Sequence, residues 1–216
     1  MDNHVFLAIL LAALLHAGWN SAIKLGLDRF SSVLLLALVQ AAIAAPILPF
    51  VEQPNPAAWT WVFVAGLLHM GYKLFLIQAY AHADLSQAYP LARGTAPLIV
   101  TLFSIFFLNE SVDQIALGAI SCISFGILLM AMKGAAGEKM SGKGLFFAVC
   151  TACFTASYTL VDGIGARIAG TASGFILWMF IVDAIGMAAV SIAMRGYKAS
   201  IRIFESWRIG FAAGAM

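Results

Sequence analysis

The chain has 216 residues, 62% of them hydrophobic and 10% charged, with a formal net charge of +2 and a mean hydropathy of +0.96. That composition excludes a sizeable soluble domain, because no polar stretch is long enough to form one, and it points to a single polytopic helical membrane domain. The small net charge gives no basis for a nucleic-acid partner, so the expected partners are the lipid bilayer and a small molecule.

The start, Asp2-Asn3-His4, lacks the basic side chains of a signal peptide, and the apolar run after it outlasts an ordinary h-region. Seven runs are each of the length a helical crossing requires, about 20 residues: about 4–23, 32–51, 58–81, 85–108, 115–132, 144–166 and 174–194. An eighth begins near Trp207 and reaches only Met216, roughly half a crossing, which is what a truncated product would show. The fold class expected is therefore all-α integral membrane, a multi-span helical bundle.

The first span reads LHAGWNSAIK over 15–24, where His16, Asn20 and Lys24 are spaced four apart and share one helix face. Lys24 suits an interfacial anchor. His16 and Asn20 suit interhelical hydrogen bonds or ligand contact equally. The second span, 32–51, is almost featureless and ends in Pro46, Pro49 and an acidic, proline-rich turn. In the third, His69, Tyr72, Lys73, Leu76 and Tyr80 share a face, and Lys73 lies too deep to snorkel easily. The link His82-Ala83-Asp84 is so short that spans three and four are expected as antiparallel neighbours, with Lys73 and Arg93 lining one cavity.

The fourth span carries Tyr89-Pro90-Leu91-Ala92-Arg93-Gly94-Thr95-Ala96-Pro97. Pro97 has no N–H for the Arg93 carbonyl, so a helix break is expected around Pro90, Gly94 and Pro97. A cation at bilayer depth costs roughly 2.5–3.5 kcal/mol even on insertion scales. Either Arg93 lines a polar binding cavity, or it snorkels to the surface. In the fifth span Gly118, Cys122 and Gly126 form a small-xxx-small face suited to close helix contact. Residues 133–143 are polar, rich in Gly and Lys, and read as a linker between halves.

The sixth span places Thr151, Thr155, Tyr158 and Asp162 on one stripe. Its hydroxyls either face a ligand or bond their own helix backbone, and Asp162 reads as interfacial. Cys150-x-x-Cys153 lacks the further Cys or His partners that metal or redox chemistry needs, so no metal and no cofactor is expected. In the seventh span Trp178 is a candidate substrate contact, and Asp183 lies near mid-depth, where it serves as an ion-pair partner or a proton carrier.

Loop charges give an orientation. The N-terminal side holds Asp2, Glu52, Glu110, Asp113, Asp162 and one basic residue, Arg167; the opposite side holds Lys24, Arg29, Lys133, Lys139, Lys143, Arg195, Lys198, Arg202 and Arg208. Nine basic residues against one place the N-terminus outside a cell (inner) membrane that the chain crosses several times. An ungapped match of residues 15–24 to 153–162 suggests an internal repeat. The second unit would start after five spans, and an odd number of crossings inverts it.

The stretches HAGWNSAIK at 16–24, AYAHADLSQAYPLARGTAPLIVTLFSIFFLNE at 79–110 and QIALGAISCISFGILL at 114–129 resemble the drug/metabolite transporter superfamily, specifically its EamA branch. The resemblance implies two inverted five-helix repeats, here 1–132 and an incomplete 144–216 joined by the 133–143 linker. It also implies secondary transport, often export of metabolites, through a cavity at the interface of the halves. Carried over by position, His16, Asn20, Tyr72, Lys73, Tyr89, Arg93 and Tyr158 would line that cavity. Two departures stand out: the charge bias opposes the N-terminus-inside arrangement of ten-span members, and the last spans are missing. Span four is also more polar and more broken than the family pattern.

The function expected is secondary transport of a small polar, anionic or zwitterionic metabolite by alternating access. A non-transporting assembly or sensor subunit is the alternative. An intramembrane enzyme finds less support, because HExxH, GxSxG and carboxylates at metal-ligand spacing are all missing, and no catalytic residue is assigned.

Overall fold

The computed structural model describes residues 29–107, 112–133 and 140–197, together with the single positions 6, 7, 10, 11, 14 and 200. All regular structure among the described residues is helical: α1 (Arg29–Ile47), α2 (Trp59–His82), α3 (Leu85–Phe107), α4 (Gln114–Lys133), α5 (Gly142–Ala169) and α6 (Ala172–Arg195). These correspond to the second through seventh expected spans; the first and the partial eighth lie outside the described helices. Among the described residues, five helices are long and apolar enough to cross a membrane, and α4 contributes a shorter apolar helix over 114–129.

The chain divides into two compact units. One comprises Met1–Gln53 with Ser173–Met216, the other Pro54–Ala172.

In the first unit, α1 reaches Pro46 in its last turn and passes into a short 3-10 turn, Leu48–Phe50. A helix ended in this way leaves carbonyls without donors. The Gln53 side-chain amide donates to the Leu48 and Val51 carbonyls at 2.7 and 3.2 Å. Its oxygen accepts from the Trp178 indole N–H of α6 at 2.8 Å. At the other end of α6, Arg195 donates to the Ser31 hydroxyl at 3.3 Å and covers the Phe30 ring at 4.3 Å.

The second unit is organised around α5, which packs along both α2 and α3. It has 28 residues and is therefore about 42 Å long, enough to cross with tilt. Its start is tied to the end of α2. Ser141 caps α5 by accepting from the Gly144 N–H at 3.0 Å, and its own hydroxyl donates to the His82 carbonyl at 2.7 Å. Its end is tied to the start of α2, where the Asn55 N–H donates to the Ala169 carbonyl at 3.1 Å. The two helices therefore run antiparallel. Small residues make the seam: Ala148, Ala152 and Ala156 are fully buried or nearly so, with Thr151 and Thr155 beside them, the pattern by which helices approach closely in lipid. Gly144 sits so near Ala83 and the His82 carbonyl that a Cβ there would meet them at 2.7 and 2.9 Å.

Two expectations fail here. Spans three and four, now α2 and α3, barely touch along their lengths, because α5 packs against each of them. A short connection fixes only the helix ends and leaves their directions free. On α4, a Cβ at Gly118 or Gly126 would meet nothing within 4 Å among the described residues, and Cys122 is exposed. The packed face of α4 instead carries Ser124, 1% exposed, and Ile127, which backs onto Gly94 of α3. Ile115, Ile123, Phe125 and Leu129 point away from the unit, as hydrocarbon-facing side chains would.

Candidate functional site

The site is assembled from α2, α3 and α5. Asp84 starts α3: its carboxylate accepts from the Ser86 N–H at 2.9 Å and its carbonyl from Gln87 and Ala88, a favoured N-cap arrangement. From there α3 runs as one helix through Pro90, Gly94 and Pro97. The expected break is thus replaced by a continuous helix. Proline weakens the backbone ladder locally, and Ser124 of α4 donates from its buried hydroxyl to the Gly94 carbonyl at 3.1 Å. The Gly94 carbonyl, next to the Arg93 carbonyl that Pro97 deprives of its helical donor, thus takes a second donor from protein.

Arg93 leaves α3 one turn before Pro97 and lies at the wall of a cavity of about 380 Å³, lined also by Pro97 and Thr101 of α3 and by Thr155, Tyr158 and Thr159 of α5. Its Nη1 donates to the Tyr158 hydroxyl at 3.4 Å and its Nη2 to the Tyr72 hydroxyl at 3.3 Å. The guanidinium carbon is 5.6 Å from the Tyr72 ring centroid, within cation–π range. Tyr72 and Tyr158 meet edge to face at 5.5 Å. Tyr80 and Tyr89 stand within electrostatic range of the same guanidinium. Three helices thus converge on one cation inside the bundle through phenol groups.

Next to this cluster lies a pair that the sequence reading did not single out. His69 of α2 meets Asp162 of α5, Nε2 to Oδ2, at 2.9 Å. The His69 ring is stacked on Tyr158 at 4.0 Å with 26° between the planes. Asp162 is part of an interhelical ion pair, with 29% of its side chain exposed. A signal did exist: His69 precedes Tyr72 by three residues and Asp162 follows Tyr158 by four, so facing stripes that join the tyrosines also join this pair.

The other expected site residues are distributed as follows. Lys73 is buried on α2, 6% exposed, one turn past His69, and does not line the Arg93 cavity. Tyr89 is half-buried on α3. Trp178 and Asp183 belong to the other unit; Trp178 is engaged by Gln53, and Asp183 is 1% exposed on α6. His16 and Asn20 lie outside the described residues. The hydroxyls of Thr151, Thr155 and Thr159 each donate to the carbonyl four residues back, at 2.7, 2.9 and 2.7 Å. Of the two roles open to them, backbone bonding uses their protons, and lone pairs alone remain to face the cavity.

The arrangement can hold an anionic group. Arginine offers five N–H donors in a planar fork suited to carboxylate or phosphonate oxygens, and the phenols give neutral hydrogen-bonding support. A family model, the EamA-like transporter family, matches residues 4–132. No curated protein and no solved structure matches the chain.

Proposed function

Because the chain belongs to the EamA-like transporter family, we propose that it is a secondary transporter of a small polar metabolite bearing an anionic group, working by alternating access. The family is one of membrane transporters rather than enzymes, and the apolar helices are those of a multi-pass membrane protein. The observation that carries the substrate class is the Arg93 guanidinium at the wall of a cavity between membrane-spanning helices, steadied by Tyr72 and Tyr158. A charge held in low dielectric is costly, and an anion that shares its hydrogen bonds offsets that cost.

Two inverted repeats, 1–132 and 144–216 with the 133–143 linker between them, are part of the same proposal; the support is the ungapped match of 15–24 with 153–162 and the odd number of crossings per unit. The N-terminus outside the inner membrane rests on the one-sided loop charges. His16, Asn20, Lys73, Tyr89 and Trp178 are proposed substrate contacts from their positions in the sequence, and Asp183, buried in its own unit, is proposed as an ion-pair partner or proton carrier.

The test is uptake of labelled small carboxylates and phosphonates into proteoliposomes. Arg93→Ala is expected to abolish saturable uptake and Lys73→Ala to weaken it. Wild-type kinetics in both variants would remove the anion site from this account.

A further inference from the structure

His69 and Asp162 meet at 2.9 Å across the α2–α5 seam, 18% and 29% exposed, within two membrane-spanning helices. A structural ion pair in such a place has both carboxylate oxygens satisfied, since otherwise desolvation outweighs the attraction. Here Oδ2 takes His69, whereas Oδ1 is buried and has no hydrogen-bond partner among the described residues. The pair also continues directly into the anion site: His69 lies flat on Tyr158, whose hydroxyl accepts from Arg93. The ring contact makes the pair and the Arg93 cluster one continuous set of polar side chains.

We propose that the His69–Asp162 pair is a proton-binding site and that its proton is bound together with the anion at Arg93; this rests on the anion-carrier reading above. With neutral His69 donating its Nε2–H to the Asp162 carboxylate, the pair carries one negative charge. A proton taken up from the solvent adds to Nδ1, the Nε2–H stays hydrogen-bonded to Asp162, and the pair becomes a neutral imidazolium–carboxylate couple. The bound anion then no longer faces an uncompensated carboxylate. By linkage the anion promotes proton uptake as much as the proton promotes anion binding.

The ionisable neighbours come from every packed element. On α2 they are Tyr72 and Lys73, a helical turn from His69, and on α5 Tyr158, a turn from Asp162; α3 brings Arg93, bonded to both tyrosines, and the 3-10 turn Pro56–Ala58, which also packs on α5, has none. Unlike these tyrosine, lysine and arginine side chains, histidine ordinarily titrates near neutrality.

The experiment is equilibrium binding of labelled sulfate, whose charge is constant near neutrality, to the full chain in lipid nanodiscs at acid and alkaline pH. A one-charge change roughly 10 Å away, at an effective dielectric near 20, is worth about tenfold in affinity, so wild-type binding should tighten about that much on acidification. His69→Gln should stay at the weak, alkaline level at both pH values. Asp162→Asn, which makes the pair neutral without a proton, should bind sulfate at alkaline pH as tightly as wild type does at acid pH. That gain of affinity cannot come from misfolding. Wild-type binding that ignores pH, or an Asp162→Asn protein no tighter than wild type at alkaline pH, overturns the proton site and leaves the anion site standing. No sulfate binding by wild type at either pH overturns the anion site and this proposal with it.

Discussion

Gly94 places the backbone that carries Arg93 against α4, and a single methyl group there is a sharp probe of the packing. A Cβ at 94 would lie 2.7 Å from the Ile127 Cβ, well inside carbon–carbon contact distance. Overpacking of that kind costs about 1–3 kcal/mol. Glycine-to-alanine exchange within a helix also returns about 0.8–1 kcal/mol of propensity, so Gly94→Ala should destabilise by roughly 0–2 kcal/mol net. Gly118 on α4 supplies the control, because among the described residues nothing lies within 4 Å of its would-be Cβ. Gly118→Ala should stabilise by about 0.4–1 kcal/mol. The difference between the two variants isolates the clash. Combining Gly94→Ala with Ile127→Ala removes the obstructing side chain, so the double-mutant cycle should show favourable coupling of at least about 0.5 kcal/mol. The assay is reversible unfolding in mixed micelles followed by tryptophan fluorescence. If Gly94→Ala stabilises as much as Gly118→Ala, or the two changes at 94 and 127 simply add, the α3–α4 contact described here is wrong.

Further expectations follow from the same contacts. Ser141→Ala removes both the α5 cap and the bond to the His82 carbonyl and should cost about 1–2 kcal/mol, read in the same unfolding assay. Trp178→Phe loses the bond to Gln53, about 0.5–1.5 kcal/mol, and should change sulfate affinity less than Arg93→Lys does in nanodisc binding. Tyr158→Phe keeps the ring under His69 but removes the hydroxyl that holds Arg93. It should weaken sulfate binding several-fold while leaving unfolding stability within about 1.5 kcal/mol of wild type.

Span positions were legible because apolar length is a one-dimensional property: the run expected at 58–81 became Trp59–His82, and that at 144–166 became Gly142–Ala169. Helical spacing also put Tyr72 on a face and Tyr158 on a stripe, and the structure brings both to Arg93. Pairing between helices was not legible in the same way. The short link His82-Ala83-Asp84 suggested that α2 and α3 pack together, yet α5 packs against each of them, since helix directions are set by side-chain fit along the whole length. The same step explains why Lys73 does not line the Arg93 cavity and why the partner of Asp162 was not legible along the chain. Its partner, His69, is 93 residues away, and only the register of α2 on α5 joins them. The small-residue face of α4 misled for a related reason: glycines permit close approach, but Ser124 and Ile127 form the face that makes it.

The most direct measurement of the central claim is thiol labelling with a membrane-impermeant reagent. Replacing the three native cysteines, Cys122, Cys150 and Cys153, by alanine gives the background. Thr159→Cys and Thr101→Cys, at the cavity wall, should react with the reagent and be protected by sulfate. Phe125→Cys, 63% exposed on the outward face of α4, should not react. Cavity-wall cysteines as inert as the one at 125 would mean that Arg93 looks onto hydrocarbon, and the carrier account would be contradicted.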